Sequence, residues 1–384
     1  MARSVIYGLA ACACIAWTGC STLKLPLPLS ATALDTPTYA HAPSRINSIP
    51  ITLQPPLRLL WQHDITAGIG SGSLLFVDNT LFVGNLRGEL YALDPLTGKR
   101  YGWATLGNSI EGTPVIDREL AIVPLAGSQE SLVAYDVVGA KVVWRASLGD
   151  LHASPLLLQG RVFVGNVHGR FFAVDRSTGD VLWHFDLPDN ATRKGIRSSA
   201  AGSPPHVVFG ADDGTLYNLD AITGRLVWKF TADGAIQAAP SIADSTVYVG
   251  TLRGMMYALR LSSGTLLWSD SADGAIYAPP LIHSGLCIFG TTGGMVTATD
   301  RHTGAQAWTC NVHSPVNAGL LGVNNLLYAG TLDKELIAID PGQGSVVARD
   351  TVSARIKTAP IAGAGCIFIA TDDRLIQAYG EDRK

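Results

Sequence analysis

The sequence predicts an all-β fold: an eight-bladed β-propeller of four-stranded antiparallel blades, closed by an N-terminal strand that completes the last blade. Three observations predict it. Tryptophans (Trp103, Trp144, Trp183, Trp228, Trp268, Trp308) return about every forty residues, the period of a four-stranded blade. One pattern travels with them: "GNVHGRFFAVDRSTGDVLW" (165–183) is echoed by "GNLRGELYALDPLTGKRYGW" (84–103), "GADDGTLYNLDAITGRLVW" (210–228), "GTLRGMMYALRLSSGTLLW" (250–268) and "GTTGGMVTATDRHTGAQAW" (290–308). Finally, 41 glycines and only 15% charged residues favour short strands and tight turns.

The chain opens with "MARSVIYGLAACACIAWTGCS". Arg3 precedes an apolar run from Val5 to Trp17, too short to span a bilayer but suited to an export signal. "WTGC" resembles the lipobox of bacterial lipoproteins, with Trp17 where Leu is usual. That resemblance implies a signal peptide over 1–19 and acylation at Cys20, with Ser21 implying an outer-membrane destination. An ordinary secretory signal is the other reading. Residues 20–56, rich in Pro, Ser and Thr, read as the acylated Cys followed by a tether, a coil reaching roughly 30–35 Å.

The propeller follows over 57–380, with a C-terminal tail over 381–384. In each unit an apolar strand such as "RVFVG" meets a polar turn and an alternating strand such as "RFFAVD" follows. The turn "RSTG" places Gly179 where φ is positive and uses Asp175 to bond the turn backbone. The outer strand ends in a Trp that fills the wedge between blades. Asp94, Asp136, Asp220, Asp300 and Asp340 repeat the turn role of Asp175. The eighth unit lacks its outer strand, whereas "LRLLWQ" (57–62) has that strand's pattern and no blade before it. It is therefore expected to pair with the last blade, removing the open edge. Cys287, Cys310 and Cys366 read as small buried hydrophobes, since no CxxC or His pair stands at ligand spacing.

The unit "AVDRSTGDVLW" resembles the AxDxxTGxxxW repeat of pyrroloquinoline-quinone-type propellers. With the lipobox, the tether and a lone propeller, the chain resembles the BamB family of outer-membrane assembly lipoproteins. The resemblance implies a non-enzymatic periplasmic scaffold, a monomer within a larger complex, lipid-anchored in the outer membrane and partnered by a BamA-like barrel-assembly protein. It implies no cofactor. A quinone-dependent dehydrogenase shares the repeat, but it needs oxygen ligands for Ca²⁺, an Asp base and, in many cases, adjacent cysteines. A periplasmic ligand- or glycan-binding propeller is the third reading. Net charge is −3 with no large basic run, which argues against a nucleic-acid partner.

One position varies from unit to unit. The innermost strands are expected to read "IEGTP", "LHASP", "IRSSA", "IQAAP", "IYAPP", "VNAGL" and "IKTAP", after "IGSGS" in the first unit. The first residue is aliphatic and the third is small. The second is Gly70, Glu111, His152, Arg197, Gln237, Tyr277, Asn317 or Lys357. These side chains are expected to ring the mouth of the central channel, either as a binding site or as a solvated rim.

The unit spacing is longest at "DNATRKGIRSS" (189–199), where Arg193, Lys194 and Arg197 crowd together. In BamB-type proteins a loop ending in an aliphatic–Arg pair docks BamA. By that resemblance Ile196 and Arg197, with Lys194 and Arg193, are candidate partner contacts. Two departures stand beside it: Lys194 replaces an aliphatic residue, and a single Asp233 replaces an acidic pair.

Overall fold

The computed structural model describes residues 22–32, 35, 37–70, 72, 74–189 and 194–381. Residues 1–21, and with them the export signal and Cys20, lie outside the described residues, as does Arg193. Thirty-two strands, β1–β32, form eight separate four-stranded antiparallel sheets. Blades 1 to 7 take four consecutive strands each, from β2–β5 (74–105) to β26–β29 (321–351). Blade 8 runs β30 (Ile361–Gly363), β31 (Cys366–Ala370), β32 (Leu375–Gly380) and then β1 (Arg58–Asp64) as its outer strand. The expected closure is therefore observed, with Gln62 opposite Gln377 and Asp64 opposite Leu375.

Tryptophan and the turn glycine together lock neighbouring blades. Trp61 of β1 lies over Gly98 of blade 1, whose φ of +68° suits a residue without a side chain. A Cβ at Gly98 would collide with the indole. The indole Nε1 donates to the Pro95 carbonyl at 2.9 Å. Trp144, Trp228, Trp268 and Trp308 repeat this bond, each to a carbonyl in the next blade's turn. The recurring Asp fixes that turn: in blade 3, Asp175 Oδ1 accepts the amides of Ser177 and Thr178.

Those carboxylates carry a pH prediction. The Tyr101 hydroxyl at Asp94, the Ser177 hydroxyl at Asp175, and the Thr223 and Thr303 amides at Asp220 and Asp300 hold these carboxyls below the ordinary range. A depressed folded pKa contributes stability above the unfolded value, about 3.9, and loses it as pH falls through the folded value. The thermal midpoint is expected to drop from about pH 4 downward. An Asp→Asn quadruple variant at 94, 175, 220 and 300 should show a shallower acid slope. An identical slope would assign the acid sensitivity to other carboxyls.

Segment 22–57 differs from the free tether that its composition suggests. It is a strap packed against the propeller. Leu23, Leu25 and Leu29 are buried in the core shared by blades 1 and 2, and Ile49, Leu53 and Leu57 in that of blades 7 and 8. Between these ends its backbone pairs with the inner edges of blades. Pro37 O accepts from Ile116 N, Pro43 O from Gly202 N, Ser44 O from Ile242 N and Asn47 O from Gly322 N, at 2.8–3.0 Å. Proline removes regular secondary structure, but its carbonyl still accepts. Spaced aliphatics supply the burial, roughly 1.5–3 kcal/mol for each fully buried Leu or Ile.

Arg45 pins the strap near the axis. It is fully buried and donates to Ala200 O, Pro155 O, Tyr39 O and the Thr38 hydroxyl, at 2.5–3.2 Å. Burial lowers its pKa to about 10, so it stays charged at neutral pH. The neighbouring Tyr39 hydroxyl is pushed up by burial to about 12.

Candidate functional site, an axial cup

Each blade enters the axis through a short loop. The expectation that the variable residues lie within the innermost strands is corrected here. They precede those strands, which are only two to four residues long: His152, for example, comes before β10 (Leu156–Leu158).

The loop geometry sets the alternation. The aliphatic residue turns into the blade seam and its amide bonds the previous blade, as in Ile236 N to Ala211 O and Ile276 N to Thr251 O, both 3.0 Å. The small residue two positions on, such as Ala153, Ser198 or Ala238, is buried against its neighbours. The residue between them faces the axis. Glu111, His152, Arg197, Gln237, Tyr277, Asn317 and Lys357 all line one cavity of about 390 Å³. Gly70 adds no side chain. Tyr39 of the strap lines the same cavity, its ring beside Gly72, two positions beyond Gly70. The strap thus contributes a wall to this axial cup.

Sequence reasoning missed the acids that partner this ring. Asp150, Asp212 and Asp372 stand in neighbouring loops. His152 bridges two carboxylates, with Nδ1 at 2.6 Å from Glu111 Oε2 and Nε2 at 3.1 Å from Asp150 Oδ2. Burial raises the Asp150 carboxyl, but the Gly127 amide and His152 outweigh it and hold the group below its ordinary pKa. Lys357 Nζ lies 3.4 Å from Asp372 Oδ2, which Arg355 also approaches. Asp212 serves two blades, pairing with Arg197 and accepting from Gln237 Nε2 at 2.9 Å. The legible signal was the extra Asp in "GADDG" and "TDDR", where sister turns carry "GTLRG" or "GTTGG".

The described end of the insertion before blade 4, at Gly195, meets the same pair. Gly195 leaves room for the Arg197–Asp212 contact, because a Cβ there would collide with both side chains. Lys194 Nζ reaches Asp189 Oδ1 at 3.1 Å. The Arg197 side chain stays 44% exposed while Asp212 is only 6% exposed. Ile196 requires a correction. It is 0% exposed in the core between blades 3 and 4, the same wedge place as Ile236 and Ile276. It therefore offers no surface to a partner. Asp233 is exposed and accepts from the Thr251 hydroxyl at 3.0 Å.

A quinone centre with calcium finds poor support in this donor set. Glu111 is committed to His152, and Asn317, which enters blade 7 rather than a blade beside Glu111, contributes a single amide oxygen. No group of three His, Cys, Asp or Glu residues among the described residues could hold a metal. Cys287, Cys310 and Cys366 are buried, separate thiols within blades, as expected of small hydrophobes.

Fold and cup together define a closed eight-bladed propeller of the pyrroloquinoline-quinone repeat class. The family model described as outer membrane protein assembly factor BamB matches residues 58–193, 123–228, 173–315 and 292–383, and the chain belongs to that family. The BamB of Shewanella oneidensis is 27% identical over 125 residues, 29% of this chain and 32% of that protein. The dehydrogenase subunit of a quinone alcohol dehydrogenase from Gluconacetobacter polyoxogenes is 32% identical over 139 residues, 30% of this chain. That match spans 18% of the dehydrogenase, so these curated relatives are matched over a third of their length or less. The crystal structure of BamB from Moraxella catarrhalis superposes with a TM-score of 0.72 at 16% identity, covering 85% of this chain and 100% of that one. At such identity the likeness carries the fold alone.

Proposed function

We propose that this protein is a non-enzymatic periplasmic scaffold in outer-membrane β-barrel assembly, held to the membrane through acylated Cys20. Its docking surface for a BamA-like partner is the rim formed by Lys194 and Arg197. The observation that carries this reading is the BamB family match from residue 58 to residue 383. The rim geometry supports it: an exposed Arg is held in one orientation by a buried carboxylate, so little freedom is lost on docking. Cys20 and Arg193 enter this reading from the sequence alone.

The test is recovery of the partner from solubilised envelopes. Lys194→Ala combined with Arg197→Ala should reduce recovery by about tenfold for every 1.4 kcal/mol of binding lost. Lys357→Ala, on the far side of the cup, should leave recovery unchanged. The wild-type complex should weaken as salt rises. Equal recovery from both variants would remove this rim as the dock. The quinone dehydrogenase likeness gives a second reading a separate check: a quinone chromophore co-purifying with the protein would overturn the non-enzymatic assignment.

A further inference from the structure

Blade 2 breaks the Trp–Gly lock. Its turn reads "DVVGAK", with Ala140 in the left-handed conformation (φ 55°) at the place of the usual glycine. In blade 1 the place opposite Ala92, where blades 2 to 6 hold their Trp, carries Gly102; Trp103 stands one residue on and packs toward the core of blades 8 and 1, and the strap fills the seam against Gly102. Leu23 N donates to Trp103 O at 2.9 Å, Leu25 N to Val137 O at 2.7 Å and Leu29 N to Arg118 O at 3.1 Å. The Tyr135 hydroxyl donates to Leu23 O at 2.8 Å. The chain is thus fixed to the outer rim of the propeller from Thr22 onward.

We infer that the outer rim at the seam of blades 1 and 2 rests on an anionic lipid surface. The inference builds on the Cys20 anchor proposed above. Only two residue steps separate Cys20 from Thr22, a reach of about 7 Å. A propeller held so closely presents this rim to the bilayer rather than swinging on a long coil. The surface chemistry matches. Lys24 of the strap and Lys141 of blade 2 are exposed there, and Lys99 is exposed on the adjoining outer turn of blade 1, with Arg100 next to it on the side toward His63 of blade 8. Leu27 is 72% and Tyr101 45% exposed, and both line one groove with Lys24. Arg100 lies over the half-buried Trp103 ring at 4.2 Å. Cations beside amphipathic aromatics and an exposed Leu are what the headgroup region accepts. Of the nearby acids, Asp94 accepts from the Tyr101 hydroxyl and Asp78 from the Ser30 amide.

Two measurements test this, and they separate the surface from the anchor. The first uses the non-acylated Cys20→Ser chain without its signal, co-sedimented with vesicles of phosphatidylethanolamine and phosphatidylglycerol. Each cation near such a surface contributes roughly fivefold, so Lys24→Glu with Lys99→Glu and Lys141→Glu should weaken binding at least about a hundredfold. Phosphatidylcholine vesicles should bind neither form well. Equal sedimentation of wild type and triple variant would overturn the inference. The second uses the acylated chain on the same vesicles, with a nitroxide on Leu27→Cys or Leu267→Cys. The native cysteines at 287, 310 and 366 are buried and stay unlabelled. The label at 27 should be shielded from a water-soluble relaxing agent and the label at 267 exposed to it. Equal exposure in protein carrying acyl chains by mass spectrometry would overturn the inference. Absence of acyl chains would instead defeat the anchor alone, leaving sedimentation to decide the surface.

Discussion

Deleting residues 57–62 is expected to open the ring and abolish cooperative folding. The deletion removes most of β1, so β32 becomes a bare edge from Gln377 to Gly380. It also removes Trp61 from its seat on Gly98 and leaves the Pro95 carbonyl without its indole donor. The milder Trp61→Ala change alone should cost about 3 kcal/mol, the lower end for a large aromatic because Trp61 is only partly buried. Typical folding free energies are about 5–15 kcal/mol, so loss of the strand as well takes most of the margin. An exposed apolar edge also invites pairing between copies. Urea titration and light scattering measure both effects. A deletion variant with an unchanged urea midpoint would show that blade 8 is stable on three strands.

The second large effect is expected at Arg45. Replacing it with Ala leaves the buried carbonyls of Ala200 and Pro155, and that of Tyr39, without this donor. Each such group costs about 1–3 kcal/mol when left unsatisfied. Part of this is offset, because a cation that was expensive to bury is gone. The net should be a loss of about 2–4 kcal/mol, concentrated in the strap rather than the blades. Hydrogen exchange should therefore accelerate across 37–51, and protease should cut there first. Tyr39 would leave its place in the cup. Arg45→Lys should recover only part of the protection, since one ammonium cannot reach four acceptors in the guanidinium's fork geometry. Unchanged exchange in Arg45→Ala would mean that the leucine anchors alone hold the strap.

Much of this molecule was legible because its determinants are local and repeated. The Asp–Gly turn needs only residues within a few positions, and Asp175 with Gly179 shows it. A Trp repeated at one place must have one packing role, so the wedge could be inferred without a partner in view. The orphan strand 57–62 could be matched to the incomplete eighth unit because both belong to one pattern. The alternation of aliphatic, variable and small residues likewise marked the ring before its geometry was known.

What misled was composition read without spacing. Among its described residues from Thr22 onward, the Pro- and Ser-rich stretch has no helix and no named strand, yet tertiary contacts hold it against the propeller. Ile196 illustrates a second confusion. Its place in a family docking pair pointed outward, while its place in the repeat pointed into the seam, and the repeat prevailed. Burial of an aliphatic wedge is enforced at every blade, whereas a partner acts at one.

The sequence by itself determined the strand pattern, the number of blades, the closing strand and which residues face the axis. These follow from short-range turn chemistry and from periodicity, which need no knowledge of distant neighbours. Only the tertiary structure decided that Asp212 holds Arg197 and Gln237 from adjacent blades, that His152 bridges Glu111 and Asp150, and that Tyr39 of the strap lines the cup. It alone decided that Arg45 finds carbonyls 110 and 155 residues away. Such pairings depend on how eight sheets converge in space. A loop's own residues do not say which acid a neighbouring blade will bring within reach.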